Sequence, residues 1–160
     1  MRRVFALLLS ALLAGGLAAQ SSKGSDGPKG YEVVAEYLYL TAKFVEWPAL
    51  APTAPCVLGI LGGDPFGDAF EPFRGKLVRG RSFQVKKSRD LHDLEDCQML
   101  FICLSENDDV GRILQHFKGK AVLVFGEHVR FTELGGGVRF NPQERGFQIE
   151  INLRVTEEQH

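Results

Sequence analysis

Three short runs of apolar residues constrain the fold of this chain more than any other feature. They lie at residues 56–61 (CVLGIL), 98–104 (QMLFICL) and 121–125 (AVLVF). Continuous apolar runs of this kind are typical of strands that are covered on both faces, as in the parallel sheets of α/β proteins. We therefore interpret each run as a buried strand.

Helical patterns separate these strands. Residues 31–47 carry a wide apolar stripe with glutamates and a lysine on the other side, and Pro48 ends the pattern. A second helix is predicted from residue 105 to residue 117, with Ser105 as its N-cap. Strands that alternate with helices indicate an α/β sandwich.

Shorter elements complete the prediction. Residues 66–73 follow an Asp-Pro turn and predict a short helix, and residues 81–86 predict a strand. Residues 138–140 and 147–153 predict a closing β-hairpin. The expected fold is a single-domain α/β sandwich. Its mixed, mostly parallel sheet of about five to six strands is flanked by helices and ends in that hairpin.

The first residues predict export from the cytoplasm. Residues 1–19 combine two arginines, an apolar stretch and a small-residue end, which is the plan of a secretory signal peptide. Residues 20–30 are rich in Ser, Gly and Lys and predict a flexible tail. The folded domain is expected at residues 31–160. The expected location is the periplasm, with no span left in the membrane.

Charge and motif spacing exclude several classes of function. The formal net charge is −1, so no basic excess points to nucleic acid. The four histidines lack zinc-site spacing, and residues 59–67 match neither the dinucleotide nor the P-loop pattern. The chain has no G-x-S-x-G motif. We therefore expect no catalytic residues, no cofactor and no metal.

Eight short motifs in a fixed order resemble the YfiR family of small exported bacterial proteins. The resemblance covers roughly residues 31–153. The motifs are AKFVEWP at 42–48, CVLG at 56–59, DPFG at 64–67, GR at 80–81, LFI at 100–102, SE at 105–106, GGGV at 135–138 and IEIN at 149–152.

The resemblance implies a periplasmic regulator without catalysis. Such a protein binds the periplasmic domain of a membrane-bound diguanylate cyclase and represses its output in cyclic-di-GMP signalling. Members of the family usually continue into a final amphipathic helix. Residues 154–160 (RVTEEQH) are polar and too short for one. The surface that this helix would cover is therefore expected to meet another element, a partner or a second copy of the chain in a homodimer.

The resemblance also matches Cys56 and Cys97 to a cysteine pair of the family pattern. An oxidising envelope permits a disulfide between them, and two buried free thiols are the alternative. Cys103 lies inside an apolar run, where a thiol most often acts as a small core side chain. A redox role for Cys103 is the less favoured interpretation.

Two groups of residues are candidates for partner binding. Phe66, Phe70 and Phe73 recur at near-helical spacing, which usually indicates core, but exposed members would anchor a partner. Arg79 and Arg81 belong to a strip, residues 74–89, that holds seven basic side chains and no acidic one. Such a strip is either a solvated surface whose charge the acidic residues at 90–96 balance, or a face for an acidic partner domain or for anionic lipid headgroups.

The sequence is compatible with two other functions. The first is a periplasmic small-molecule-binding module with a pocket beside the sheet. The second is an envelope hydrolase, for which the sequence offers no positive support. A cleft that brings a nucleophile and a base within hydrogen-bond distance would be its signature.

Overall fold

The structure is a computed structural model that describes residues 30–47, 51, 53–143 and 146–158. The predicted signal peptide, residues 1–19, and all but the last residue of the predicted tail, residues 20–30, lie outside this described part. None of the helices in the described part is long and apolar enough to cross a membrane.

Seven strands form one sheet, flanked by helices. The strands are β1 (Cys56–Leu61), β2 (Leu77–Val78), β3 (Arg81–Ser88), β4 (Met99–Ile102), β5 (Leu123–Gly126), β6 (Val138–Gln143) and β7 (Gly146–Ile151). The helices are α1 (Tyr31–Phe44), α2 (Val110–Phe117) and α3 (Leu153–Glu158). The strand order is β2-β3-β1-β4-β5-β6-β7.

The five inner strands are parallel, and the two edge strands β2 and β7 are antiparallel to their neighbours. The predicted mixed, mostly parallel α/β sheet with a closing hairpin is thus confirmed. The strand that sequence analysis missed is β2, which has only two residues. So short a segment leaves no periodic pattern to detect.

Alternating side chains divide the core into two clusters. Along β4, Met99 and Phe101 belong to the cluster beneath α1, whereas Leu100 and Ile102 belong to the cluster beneath α2. Successive side chains of a strand point to opposite faces, so a strand buried on both faces is apolar throughout. This explains why the three apolar runs predicted the centre of the sheet.

Helix α1 buries one stripe against the sheet, formed by Val34, Ala35, Leu38, Tyr39 and Ala42. The helix ends at Phe44 rather than at the predicted Trp47. Val45 is already extended, with φ −76° and ψ 139°. The residue before a proline disfavours helical backbone, so Pro48 is consistent with a chain that leaves the helix early.

The predicted helix from Ser105 to Phe117 is divided in two. A 3₁₀ turn spans Leu104–Glu106, and α2 begins only at Val110. Ser105 is therefore not the N-cap. Its Oγ accepts a hydrogen bond from the Gly63 N–H at 2.8 Å and so ties this turn to the end of β1.

The chain closes with a helix that sequence analysis did not expect. Helix α3 follows β7 directly, and its N-terminal turn is capped by Asn152, whose Oδ1 accepts a hydrogen bond from the Val155 N–H at 3.3 Å. Asparagine is a strong N-cap because its side chain satisfies a free N–H of the first turn. Asn152 Nδ2 also donates to the Thr132 carbonyl at 2.9 Å.

Candidate partner-binding surface

Arg79 lies at the tip of the β2–β3 hairpin. Arg79 and Gly80 form its two-residue connection, and both have positive φ, 49° and 79°. Two positive φ values in succession are typical of a type I′ turn, whose twist matches that of the flanking strands. An arginine in this conformation carries backbone strain, which the pairing of Leu77 with Ser82 and of Val78 with Arg81 offsets. The hairpin therefore holds Arg79 at a defined place.

A pocket of about 420 Å³ lies beside this hairpin, where the end of α1 meets the amino ends of β1 and β3. We call it the hairpin pocket. Its apolar lining comes from Ala42, Trp47, Cys56 and Val78, and its polar lining from Glu46, Arg79 and Arg81.

The two arginines of the hairpin pocket have different partners. Arg79 Nη2 lies 2.6 Å from Glu46 Oε1, and both side chains are largely exposed, 46% and 78%. An exposed ion pair of this kind contributes at most about 1 kcal/mol, so it exchanges readily for another partner. Arg81 Nη1 instead donates to the carbonyl oxygens of Ala51 and Ala54, which fastens the segment before β1. Arg79 is thus the more available of the two.

The three predicted phenylalanines do not join the arginines in the hairpin pocket. Phe66 and Phe70 are buried in the α1 cluster, and the Phe66 ring lies 4.9 Å from that of Phe101. Burial of both rings agrees with the usual interpretation of such spacing as core, and it removes them as exposed anchors. Instead of the predicted short helix over residues 66–73, the chain forms turns and one 3₁₀ turn at Glu71–Phe73.

Phe73 is only half-buried and lies nearer the surface. Its ring stacks on Tyr39 with centroids 4.6 Å apart and planes 18° apart. The Lys76 ammonium lies 5.5 Å from the centroid of the Phe73 ring, within the range of a cation–π contact. Phe73 is therefore the most exposed member of the predicted trio, and it lines a solvent-facing site together with the buried Phe70.

That site is a groove of about 500 Å³ along the outer side of β3, which we call the β3 groove. Phe70, Phe73, Phe83 and Val85 supply its apolar lining, and Glu71, Arg74 and Lys87 supply its charged side chains. The hairpin pocket and the β3 groove thus both adjoin the outer half of the sheet.

The carboxyl ends of the inner strands, where open α/β sheets commonly hold ligands, are crossed by internal hydrogen bonds. Ser105 Oγ donates to Glu106 Oε1 at 2.8 Å, and Asp64 Oδ2 accepts from Lys87 Nζ at 2.5 Å. A Cβ on Gly62 would lie 2.4 Å from Ser105 Oγ, so this turn and β1 are in close contact. These groups are mutually satisfied within the fold.

Glu127 is a buried acid at the carboxyl end of β5. The Tyr31 hydroxyl donates to its two carboxylate oxygens at 2.9 Å each. Burial raises the pKa of the Glu127 carboxyl, and the Tyr31 hydrogen bond opposes that rise. Burial, and then the nearby Glu127 charge, raise the pKa of Tyr31. Sequence analysis gave no sign of this pair, because its members are distant along the chain.

The predicted Cys56–Cys97 disulfide is absent: all three cysteines of the chain lie in the described part, and all are free. Cys56 packs in the α1 cluster and Cys97 in the α2 cluster. The sheet therefore lies between the two thiols. The alternative of buried free thiols matches the structure.

Burial also makes these thiols unreactive. It raises the pKa of Cys56 to about 11 and those of Cys97 and Cys103 to about 12. A thiol that stays protonated at neutral pH is a poor nucleophile and a poor metal ligand. Within the described part, no three His, Cys, Asp or Glu side chains are grouped in a way that would hold a metal ion.

Sequence analysis identified Arg79 and Arg81 but missed the other half of the hairpin pocket, Glu46 and Trp47. The signal that was present is the Trp-Pro pair that ends the first helical pattern. That pair could be recognised as part of a pocket only with knowledge of β2, because β2 places Arg79 next to Glu46, which lies 33 positions earlier in the sequence.

The protein is therefore a small α/β protein, and the hairpin pocket and the β3 groove are its candidate binding surfaces. Comparison with known protein families extends this result: residues 31–160 match the family described as YfiR/HmsC-like. The chain belongs to that family, which supports a periplasmic, regulatory role in cyclic-di-GMP signalling. A search of curated proteins found none that matches the chain.

Proposed function

We propose that this protein is a non-enzymatic periplasmic regulator that binds the periplasmic domain of a membrane-bound diguanylate cyclase and represses it. Family membership supports the regulatory role. The periplasmic location is further supported by the predicted signal peptide at residues 1–19. The hairpin pocket is the proposed contact surface.

The observation that carries this proposal is the exposed Arg79–Glu46 pair, held by a fixed turn at a pocket that combines apolar and charged lining. Arginine is enriched in protein interfaces because its planar head pairs with carboxylates in a defined geometry. A pocket next to it accepts an apolar or aromatic anchor of the partner, and such anchors dominate interface energy. Since β2 and β3 hold the turn in place, little order has to be gained on binding.

Repression then follows from differential affinity. A soluble partner lowers the output of a cyclase only if it binds the inactive state of the periplasmic domain more tightly than the active state. To invert a 99:1 ratio of active to inactive states, that preference has to reach about 10⁴-fold. The regulator itself needs no chemistry.

The test is a titration of the mature protein with the periplasmic domain of a membrane-bound diguanylate cyclase from the same organism, with cyclic-di-GMP measured in cells. Arg79→Ala is expected to weaken binding about tenfold or more and to raise cyclic-di-GMP. Arg112→Ala is the matched control, because Arg112 is an exposed arginine paired with Asp109 at 3.0 Å on helix α2. It is expected to leave both values unchanged.

The cyclase proposal fails if the parent protein does not bind and if deleting its gene leaves cyclic-di-GMP unchanged. Arg81 is a poorer choice for the test, since its bonds to Ala51 and Ala54 make it a structural residue as well.

A second candidate is a small-molecule-binding module that uses the same pocket. The pocket volume of about 420 Å³ lies within the range of ligand sites, about 300–1,000 Å³. Trp47 is the single tryptophan of the chain and lines the pocket, so its fluorescence reports occupancy. A saturable change with a small anionic compound, lost in Arg79→Ala, would favour this function.

A further inference from the structure

The outer edge of β3 is covered along only part of its length. Strand β2 pairs with Arg81 and Ser82, and the Phe83 N–H donates to the Lys76 carbonyl at 3.0 Å. Past Phe83, no other strand in the described residues pairs with this edge. The rest of β3, as far as Ser88, therefore has a neighbour on one side only, namely β1.

The direction of the backbone groups along β3 is set by two hydrogen bonds. The Phe83 N–H points outward to Lys76, and the Ser88 carbonyl points inward to the Gly62 N–H at 2.9 Å. Backbone groups of successive residues in a strand point to opposite sides, so those of Val85 and Lys87 point outward. No described residue hydrogen bonds to them. They form a short, open row of donors and acceptors.

The β3 groove lies directly beside this row. Its apolar lining includes Phe73, Phe83 and Val85, of which Phe73 and Val85 are only half-buried. An open strand edge next to a hollow lined by aromatic rings is the arrangement used in strand addition. There the backbone bonds provide affinity, and pockets for alternate side chains provide specificity.

The charge around the groove is positive. The strip at residues 74–89 holds seven basic side chains and no acidic one. Acidic neighbours pair with Arg74 and Lys87, through Glu71 and Asp64. Arg79 pairs with Glu46, and Lys86 donates to the Asp93 carbonyl on the opposite face of the sheet. Lys76, by contrast, lies over the Phe73 ring of the groove, 5.5 Å from its centroid, and forms no ion pair with a described residue. A net positive charge therefore remains for a ligand to neutralise.

We propose that the β3 edge and its groove form a strand-addition site for an extended, acidic peptide segment of a partner protein. The segment pairs with Val85 and Lys87 through its backbone. Its apolar side chains enter the groove at every second position, and its carboxylates face the basic strip. A second copy of this chain is disfavoured as the occupant, because pairing two β3 edges brings like charges together. The proposal concerns a site other than the hairpin pocket and does not depend on the cyclase.

The test begins with the mature protein and a random twelve-residue peptide library as the probe. Selected peptides are expected to be acidic, with apolar residues at alternate positions. In the amide NMR spectrum, the largest shifts on binding are expected at residues 83–88, with slowed hydrogen exchange at Val85 and Lys87. N-methylation of the peptide amides that face β3 is expected to reduce affinity at least tenfold.

The matched protein variants are Arg74→Glu and Arg130→Glu. Both arginines are exposed and form a pair with a glutamate three positions away, Arg74 with Glu71 and Arg130 with Glu133, but only Arg74 lines the groove. Arg74→Glu is expected to weaken binding at least fivefold, and Arg130→Glu to leave it unchanged. Failure to select any peptide would overturn the proposal. So would selection of peptides without an acidic bias, equal binding after N-methylation, or shifts that map to β7 or the hairpin pocket.

Discussion

The two faces of the sheet are built differently. The α1 face is aromatic: the ring of Tyr31, the first residue of the fourteen-residue helix α1, is connected through ring contacts to Phe66, Phe101 and Phe140. The α2 face is mainly aliphatic beneath an eight-residue helix, with Phe117 and Phe131 as its buried rings. Where the α2 face extends over the hairpin of β6 and β7, its side chains are polar.

Each face also buries one charged group of the described chain. Glu127, on the α1 face, is 5% exposed and bonds to a neutral phenol. Arg139, on the α2 face, is 9% exposed; its Nη1 lies 2.7 Å from Glu150 Oε1 and its Nη2 donates to Asn141 at 3.2 Å. Arg139 thus has a carboxylate as its partner, whereas the Glu127 carboxyl has only a neutral partner, and burial raises its pKa.

The largest effect is expected from Phe101→Ala, which removes the central ring of the α1 face. The loss of unfolding free energy is expected to be about 4 kcal/mol, because the ring is fully buried and lies 4.9 Å from Phe66 and 6.3 Å from Phe140. Leu100→Ala, next to it on the α2 face, should cost about 3 kcal/mol. Urea denaturation measures both. A larger loss at Leu100 would break the comparison.

The next effect tests how tightly the Phe131 ring packs against the glycines of the α2 face. A Cβ on Gly126 would lie 2.4 Å from the Phe131 ring, and one on Gly136 would lie 2.2 Å from it. Gly126→Ala is therefore expected to destabilise the protein by about 2 kcal/mol through overpacking. Thermal and urea unfolding measure this loss. Unchanged stability would show that Phe131 has room to move away.

A smaller effect is expected for Glu127→Gln, and it depends on pH. The raised pKa means that the folded state binds a proton that the unfolded state has released, so parental stability falls as pH rises above the unfolded value of about 4.3. This group contributes a slope of at most about 1.4 kcal/mol per pH unit. The Glu127→Gln variant lacks this slope. The unfolding free energy of the variant minus that of the parent should therefore rise with pH until the pH exceeds the pKa of Glu127 in the folded state.

Urea unfolding of both proteins from pH 4 to pH 8 measures that difference. Glu106→Gln is the matched control, since Glu106 lies nearer the solvent and bonds to Ser105. A difference that falls with pH would contradict the assignment of a raised pKa to Glu127.

The smallest effect is expected from Gly111→Ala in helix α2. A Cβ there meets no atom within 4 Å, and its φ is not positive. Alanine should therefore stabilise the helix by about 0.5–1 kcal/mol. Opposite signs for the alanine variants at Gly111 and Gly126, measured by thermal unfolding, would confirm that contact with Phe131 is what distinguishes them.

The sequence predicted most of the framework. The three apolar runs located β1, β4 and β5, the first helical pattern located α1, and the closing hairpin was correctly placed. The errors concern both elements and contacts: β2 was missed, and residues 66–73 form turns rather than a helix. Ser105 bonds to Gly63 instead of capping a helix, Asn152 starts a helix that looked too polar to form, and Cys56 and Cys97 do not meet.

The residues predicted for partner binding stay a prediction, and the structure shows only where they lie. Arg79 and Arg81 do adjoin one pocket, but Phe66 and Phe70 are core residues, and Trp47 and Glu46 were not anticipated. The hairpin pocket could not be predicted from the sequence, because β2 has only two residues and is too short to show the alternation of apolar and polar side chains that identifies a strand.

The order of apolar and polar side chains is a local property, so the sequence was sufficient to predict the buried strands β1, β4 and β5 and the helix α1. It also determined the family. Contacts between residues that are distant along the chain depend on the tertiary fold. The order of the strands brings Arg79 to Glu46 and Tyr31 to Glu127, separates two thiols by the thickness of a sheet, and leaves part of one edge open. These contacts and the open edge depend on how the strands and helices pack together, and a local sequence pattern carries no information about that packing.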